Sequence, residues 1–167
     1  MVEGSSAQYD GNFGTVIVDA TASNITFEFH SIDNAGAQID SYMIEKGTIG
    51  NDVLIGSAED DQLIGEAGDD QLNGAGGVDR LIGGSGDDLF IFAPGLGSDT
   101  IADFTPGAGT DDVVDLYSFA NITTFSDLAA RATQVNSDTI IDLDNGDQVI
   151  LEGVNVAALH ENDFLLA

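Results

Sequence analysis

The stretch from Gly47 to Ile91 repeats with a period of nine residues. It reads, in five consecutive units, GTIGNDVLI, GSAEDDQLI, GEAGDDQLN, GAGGVDRLI and GGSGDDLFI, here called repeats 1 to 5. Every repeat starts with glycine, has aspartate at its sixth place and has a large apolar residue at its eighth. The sixth-place aspartates are Asp52, Asp61, Asp70, Asp79 and Asp88, and the eighth-place residues are Leu54, Leu63, Leu72, Leu81 and Phe90. Three positions in strict register over five units predict a repeat architecture.

Each repeat is predicted to form a tight turn followed by a very short strand. The leading glycines allow positive φ and close backbone approach, so the first six residues turn. The last three residues form a strand whose central apolar side chain points inward. One repeat cannot bury that side chain, so repeats must stack in parallel, about 4.8 Å apart. With two repeats per coil, repeats 1, 3 and 5 stack on one side and repeats 2 and 4 on the other.

The same stacking brings the sixth-place carboxylates together. Like charges at that distance repel by several kcal/mol unless a cation lies between them. A pair of aspartates plus turn carbonyls provides the 6–8 oxygens that calcium takes at about 2.3–2.6 Å. Magnesium fits less well, because it requires a strict octahedron and retains water.

These nonapeptides resemble the GGxGxDxUx consensus of the RTX (repeats-in-toxin) family, the hemolysin-type calcium-binding β-roll. The resemblance implies about three to five Ca2+ ions, each between aspartates two repeats apart. Turn carbonyls would complete the sites. The implied pairs are Asp52/Asp70, Asp61/Asp79 and Asp70/Asp88, and the fourth-place glycines in the candidate metal sites are Gly50, Gly68, Gly77 and Gly86.

Two repeats depart from the consensus. Repeat 1 has Thr48 at its second place, and repeat 2 has Glu59 where glycine is expected at the fourth. A non-glycine residue held at positive φ costs about 1 kcal/mol or more. The site built on Asp61 is therefore expected to be the weakest.

The register stretches beyond Ile91. Asp99 follows Asp88 by eleven residues, and Asp103 comes soon after. RTX proteins of the serralysin type show a similar closing pattern, which makes Asp99 a candidate calcium ligand and Asp103 a weaker one. Either aspartate could instead cap a turn.

The C-terminal region, 106–167, predicts a cap for the open end of the roll. Ser126–Ala132 predicts a short helix with an N-cap-type serine. Asp138–Leu143 and Gln148–Leu151 predict two strands joined by a hairpin turn at Asp144–Asp147, and Val156–Asn162 predicts a last helical stretch. Similar C-terminal regions of type I secreted bacterial proteins carry an uncleaved export signal in an acidic and apolar tail.

The first 46 residues predict a short antiparallel β segment. Thr15–Val18, Asn24–His30 and Gln38–Glu45 have strand patterns, with a turn at Asp33–Gly36. In the second strand Ile25, Phe27 and Phe29 are expected on one apolar face, which needs something to pack against. The segment is similar to the terminal strands of calcineurin-like bacterial metallophosphoesterases, which implies the end of an upstream domain.

The predicted fold is therefore all-β, with three regions. A parallel β-roll, or RTX solenoid, occupies 47–105. The antiparallel β segment occupies 1–46, and a β-rich cap with short helices occupies 106–167.

Composition excludes several classes of partner. The 167 residues include 30 Asp plus Glu and only three Lys plus Arg, a formal net charge of -27. Nucleic acids and anionic membranes both bind through basic side chains, so neither is expected as a partner. No apolar run is long enough to span a bilayer. Cysteine is absent, which excludes disulfides and thiolate zinc sites.

The N-terminal residues Met1–Ser6 do not resemble a cleaved leader. The chain is expected to be a monomer.

No catalytic constellation is expected in this chain. His30 and His160 lie far apart, and no HExxH or GxSxG motif occurs. The leading hypothesis is a calcium-binding module that folds outside the cell after type I secretion. The alternatives are the C-terminal part of a secreted RTX phosphatase or protease, and a polysaccharide-binding or adhesin module. Arg80 alone among the repeats is basic, which disfavours a polyanionic glycan.

Overall fold

The computed structural model describes residues 15–20, 25–32, 38–107 and 112–167. The predicted turn at Asp33–Gly36 lies outside the described residues. The predicted apolar face of Ile25, Phe27 and Phe29 concerns side chains that lie outside the description as well. The described strands are β1 Thr15–Ala20, β2 Ile25–Ile32, β3 Gln38–Lys46, β4 Val53–Ile55, β5 Gln62–Ala67, β6 Gln71–Asn73, β7 Arg80–Ser85, β8 Leu89–Ile91, β9 Ser98–Ile101, β10 Val113–Asp115, β11 Ala132–Val135, β12 Asp138–Asp144, β13 Asp147–Leu151 and β14 Phe164–Leu165.

The repeats form two facing parallel sheets, as predicted. Strands β4, β6 and β8 of repeats 1, 3 and 5 are consecutive in one sheet, and β5 and β7 of repeats 2 and 4 are neighbours in the other. Equivalent residues align across the strands, with Leu54 opposite Leu72 and Leu63 opposite Leu81. The nine-residue period is therefore half a coil, and the predicted β-roll is confirmed.

The space between the sheets is filled by the eighth-place side chains. Leu63, Leu72 and Leu81 are fully buried, and so is Phe90. The Phe90 ring lies 6.3 Å from that of Phe104, centroid to centroid, at a tilted angle. Each buried leucine contributes about 1.5–3 kcal/mol of burial free energy, which only stacking of repeats provides.

Both sheets continue past the repeats. The end of β3 pairs in parallel with β5, so the antiparallel β1–β2–β3 segment extends the nine-stranded sheet at one end. At the other end β9 pairs with β13 of the C-terminal hairpin. The second sheet continues from β8 through β10 to β14. In this second sheet β4 is an edge strand.

The helical predictions for the C-terminal region need correction at their ends. The helix α1 spans Phe125–Ala129, and its N-cap is Thr124, whose hydroxyl accepts from the Asp127 N–H. It ends early because Ala132 starts β11. The last helical stretch is two 3-10 helices, Val156–Ala158 and Glu161–Asp163. None of the helices in the described residues is long and apolar enough to cross a membrane.

Candidate metal site

The sixth-place aspartates form one ladder on each side of the roll. All five are at least nine-tenths buried. Along each ladder, the Oδ1 atom of one aspartate accepts a hydrogen bond from the backbone N–H of the aspartate two repeats earlier. Asp70 accepts from Asp52 at 2.8 Å, Asp79 from Asp61 at 2.8 Å and Asp88 from Asp70 at 2.9 Å. The structure thus brings together the three aspartate pairs that the sequence predicted.

The second carboxylate oxygen has no partner in the later repeats. Oδ2 of Asp70, Asp79 and Asp88 is buried and accepts no hydrogen bond. A buried carboxylate oxygen without a donor costs several kcal/mol when it is charged. These three oxygens therefore require a proton or a cation.

The surroundings of these oxygens suit a hard cation. Oδ2 of Asp70 and the Gly83 carbonyl oxygen both lie close to Gly65, at 2.2 and 2.4 Å from the place that a Cβ would occupy there. Carboxylate and carbonyl oxygens are the ligands that calcium takes. Among the described residues no group of three or more His, Cys, Asp or Glu side chains is placed so that it could hold a metal ion. The residues present fit calcium.

Burial raises the pKa of four ladder carboxyls, those of Asp70, Asp79, Asp88 and Asp99. Desolvation raises the pKa of Asp79 to about 7 and that of Asp88 to about 6, and repulsion by neighbouring aspartates adds to both shifts. The pKa of Asp99 rises to about 6 for the same main reason. Hydrogen bonds from backbone N–H groups oppose these shifts without cancelling them.

These pKa values predict that acid stabilises the calcium-free chain. Below about pH 4 a carboxyl with an ordinary pKa of 3.8 and a raised pKa in the folded chain is protonated in both the folded and the unfolded chain, so it costs no stability. The loss grows as the pH rises and is complete above about pH 7. In excess chelator, we expect more strand signal by circular dichroism at pH 5 than at pH 7.5. Equal signals at the two values would show that the buried carboxyls do not control folding.

The turns place backbone strain elsewhere than the sequence predicted. Glu59 does not have positive φ, so the expected cost at repeat 2 was wrong. The left-handed non-glycine residues of the repeats are instead Glu66, with φ 82°, and Ala75, with φ 67°. Both occupy second places. Among the fourth-place glycines, Gly68, Gly77 and Gly86 have positive φ, whereas Gly50 does not.

Two aspartates beyond the repeats continue the ladders. Asp99 is buried, and its Oδ1 accepts from the Asp79 N–H at 3.0 Å. Asp112, which the sequence reasoning did not select, accepts in the same way from the Asp88 N–H at 3.1 Å. It lies 24 residues after Asp88, and because 24 is not a multiple of nine, the nine-residue period does not predict it. Asp103 caps a turn instead, accepting from the N–H groups of Gly83 and Gly84.

The fifth-place acids belong to the outer surface. Asp69 is exposed, and its Oδ1 accepts from the Asp87 N–H at 3.1 Å. Asp60 accepts likewise from the Val78 N–H at 2.7 Å. In the pairs Asp60/Asp61 and Asp69/Asp70, one carboxylate therefore lies in the buried ladder and the other accepts a hydrogen bond from the next coil at the surface.

Comparison with known proteins agrees with this geometry. A family described as the RTX calcium-binding nonapeptide repeat, in four copies, matches residues 46–81 and 77–101. The AlgE6R2 subunit of the Azotobacter vinelandii mannuronan C5-epimerase is 30% identical, over 73% of this chain and 91% of that one, with a TM-score of 0.48. The AlgE6R3 subunit of the same enzyme is 24% identical, over 71% of this chain and 80% of that one, with a TM-score of 0.32. None of the curated proteins matches.

The extracellular lipase LipA of Serratia marcescens is a further similar structure. It is 19% identical, with a TM-score of 0.49 over 97% of this chain. This chain spans 32% of the lipase's length. The nonapeptide match and the 30% identity over nearly the whole epimerase subunit show the family: the chain belongs to the proteins with RTX calcium-binding repeats. Such repeats bind Ca2+ and are typical of type I secreted extracellular bacterial proteins.

Proposed function

We propose that this chain is a calcium-dependent folding module of an exported bacterial protein. The observation that carries the proposal is the row of buried, donor-free Oδ2 atoms on Asp70, Asp79 and Asp88. Without a cation these oxygens stay unpaired inside a chain of net charge -27. When a cation binds, the same oxygens hold consecutive coils together through it. Calcium binding to the folded state alone then drives folding by mass action.

The calcium ligands in this proposal are the ladder carboxylates and the turn carbonyls. Bound calcium supplies positive charge between carboxylates that otherwise repel. Three to five ions match the number of stacked pairs. The proposed ladder residues are Asp52, Asp61, Asp70, Asp79, Asp88 and Asp99, with Asp112 added, and the turn glycines are Gly50, Gly68, Gly77 and Gly86.

A single substitution with a close control tests these ligands. Asp70→Asn removes a buried ladder charge, and Asp69→Asn removes an exposed charge next to it. Loss of a charged partner of this kind is worth about 1.5–3 kcal/mol, which is at least tenfold in an equilibrium constant. We expect Asp70→Asn to raise the calcium concentration at the folding midpoint at least tenfold, by circular dichroism. Asp69→Asn should change it less than about twofold.

Equal midpoints for the two variants would contradict the assignment. Such a result would mean that calcium acts on the total negative charge and not on the ladder. A magnesium titration of the unsubstituted chain gives a second comparison. Since magnesium demands octahedral geometry and retained water, we expect it to fold the chain only at much higher concentration.

The three regions have separate roles in the proposal. Residues 47–105 are the calcium-binding roll, and 1–46 extend one of its sheets toward an upstream domain. Residues 106–167 cover the last coil through β13 and β14 and carry the type I export signal. The exporter is then a transient partner of the C-terminal region, and the module itself is a monomer.

The alternative roles concern what the module is attached to or contacts. The Serratia lipase and the epimerase subunits belong to enzymes, and this chain would serve as the noncatalytic part of a secreted phosphatase, protease or other hydrolase. A polysaccharide-binding role has less support. The three basic side chains, Lys46, Arg80 and Arg131, pair with Glu66, Glu152 and Asp144, respectively. No unpaired cation is left among them for an anionic glycan.

A further inference from the structure

The first two repeats differ from the others at their second place. Thr48 and Ser57 occupy it in repeats 1 and 2. Thr48 donates its N–H at 2.6 Å and its hydroxyl at 2.9 Å to Oδ2 of Asp52. Ser57 donates in the same way to Oδ2 of Asp61, at 2.5 and 2.8 Å. The oxygen that is donor-free in later repeats therefore has two donors here.

The same hydroxyls also fix the turn itself. Thr48 Oγ1 accepts from the Gly50 N–H at 3.2 Å, and Ser57 Oγ accepts from the Glu59 N–H at 3.2 Å. Serine and threonine commonly stabilise turns through such local bonds to the backbone. Neither the second nor the fourth residue of these two turns has positive φ. This explains how Glu59 is accommodated without left-handed strain.

The later repeats have the opposite arrangement. Their second residues are left-handed, with φ 82° at Glu66, 67° at Ala75 and 104° at Gly84. None of these residues carries a hydroxyl. The sixth-place Oδ2 in each of these repeats is the buried oxygen without a partner. The roll thus contains two kinds of turn. In a closed turn the sixth-place Oδ2 accepts from protein donors, and in an open turn it has no donor.

The closed turns lie where the roll begins. Repeats 1 and 2 form its first coil, and β4 of repeat 1 is the edge of its sheet. We propose that Thr48 and Ser57 replace a cation in this coil, so that calcium binding begins at repeat 3 and the first coil is closed without metal. The proposal rests on the proposed function and shortens its set of ligands, because Asp52 and Asp61, named there with the ladder, then accept from protein donors in place of calcium.

Counting bound calcium in single variants tests the proposal. At saturating calcium, native mass spectrometry of Asp52→Asn and Asp61→Asn should show as many ions as the unsubstituted chain. Asp70→Asn, Asp79→Asn and Asp88→Asn should each lose at least one ion. An ion lost from Asp52→Asn or Asp61→Asn would overturn this proposal alone. An unsubstituted chain that binds no calcium would overturn the proposed function as well.

Hydroxyl variants keep the test independent of the carboxylate substitutions. In the calcium-saturated chain, Thr48→Val and Ser57→Ala should leave the ion count unchanged. Amide hydrogen exchange over residues 47–61 should become roughly tenfold faster, because a hydrogen bond to a charged oxygen is lost. Thr48→Ser should restore the slow exchange, and Ser85→Ala, at an exposed third place, should have no effect. Unchanged exchange in both hydroxyl variants would overturn the proposal.

Discussion

Phe90→Ala is expected to destabilise the calcium-bound chain by about 3–5 kcal/mol. Phe90 is fully buried at the eighth place of repeat 5 and lies against Phe104. Its strand, β8, joins the repeats to β10 of the C-terminal region. Truncation leaves a cavity where the roll meets its cap, and the surrounding parallel strands cannot close it without losing their register. Denaturant unfolding at saturating calcium measures the loss.

Tyr117→Ala is the matched control for that substitution. Tyr117 is also aromatic, but 69% of it is exposed. Its replacement should change the free energy of unfolding by less than about 0.5 kcal/mol. A Phe90→Ala chain as stable as the Tyr117→Ala chain would mean that the eighth-place residues do not hold the coils together.

Gly65→Ala is expected to prevent formation of the calcium-bound roll. The new Cβ would overlap Oδ2 of Asp70 and the carbonyl oxygen of Gly83. The second of these is a backbone atom fixed by the stacking of repeats 3 and 5. Since the methyl group would also fill the space between two proposed calcium-binding oxygens, folding and ion binding should fail together. Circular dichroism and ion counting at millimolar calcium measure the two effects.

Gly76→Ala separates this overlap from a general cost of replacing glycine. Gly76 lies in the turn of repeat 4, its φ is not positive, and the nearest atom to an added Cβ is 3.8 Å away. The variant should fold and bind calcium like the unsubstituted chain. Equal behaviour of the two alanine variants would show that the first-place glycines are not needed for close approach.

The nine-residue period was enough to predict the roll and its core. Position in the period decides whether a residue faces the core, and the odd or even number of its repeat decides which sheet it joins. Leu54 and Leu72 therefore had to stack, as did Leu63 and Leu81. The period also paired the sixth-place aspartates correctly. Asp112 was missed because it joins its ladder through a loop of irregular length, and no local spacing reports such a contact.

The cost assigned to Glu59 was wrong for a different reason. The consensus has glycine at the fourth place, but the φ of that residue depends on whether the second-place side chain accepts a hydrogen bond from its N–H. A hydroxyl at Ser57 bonds the Glu59 N–H and allows ordinary φ, whereas Ala75 has no such group and its turn is left-handed. A consensus read one position at a time does not contain this coupling.

Hydrogen exchange resolved along the chain, with and without calcium, tests the central claim most directly. In excess chelator at pH 7.5 the backbone amides of residues 65–105, which follow the first coil, should exchange at rates near those of an unfolded chain. Added calcium should protect the amides of β6 to β9 by several orders of magnitude. Strong protection of these strands in chelator, unchanged by calcium, would contradict the account.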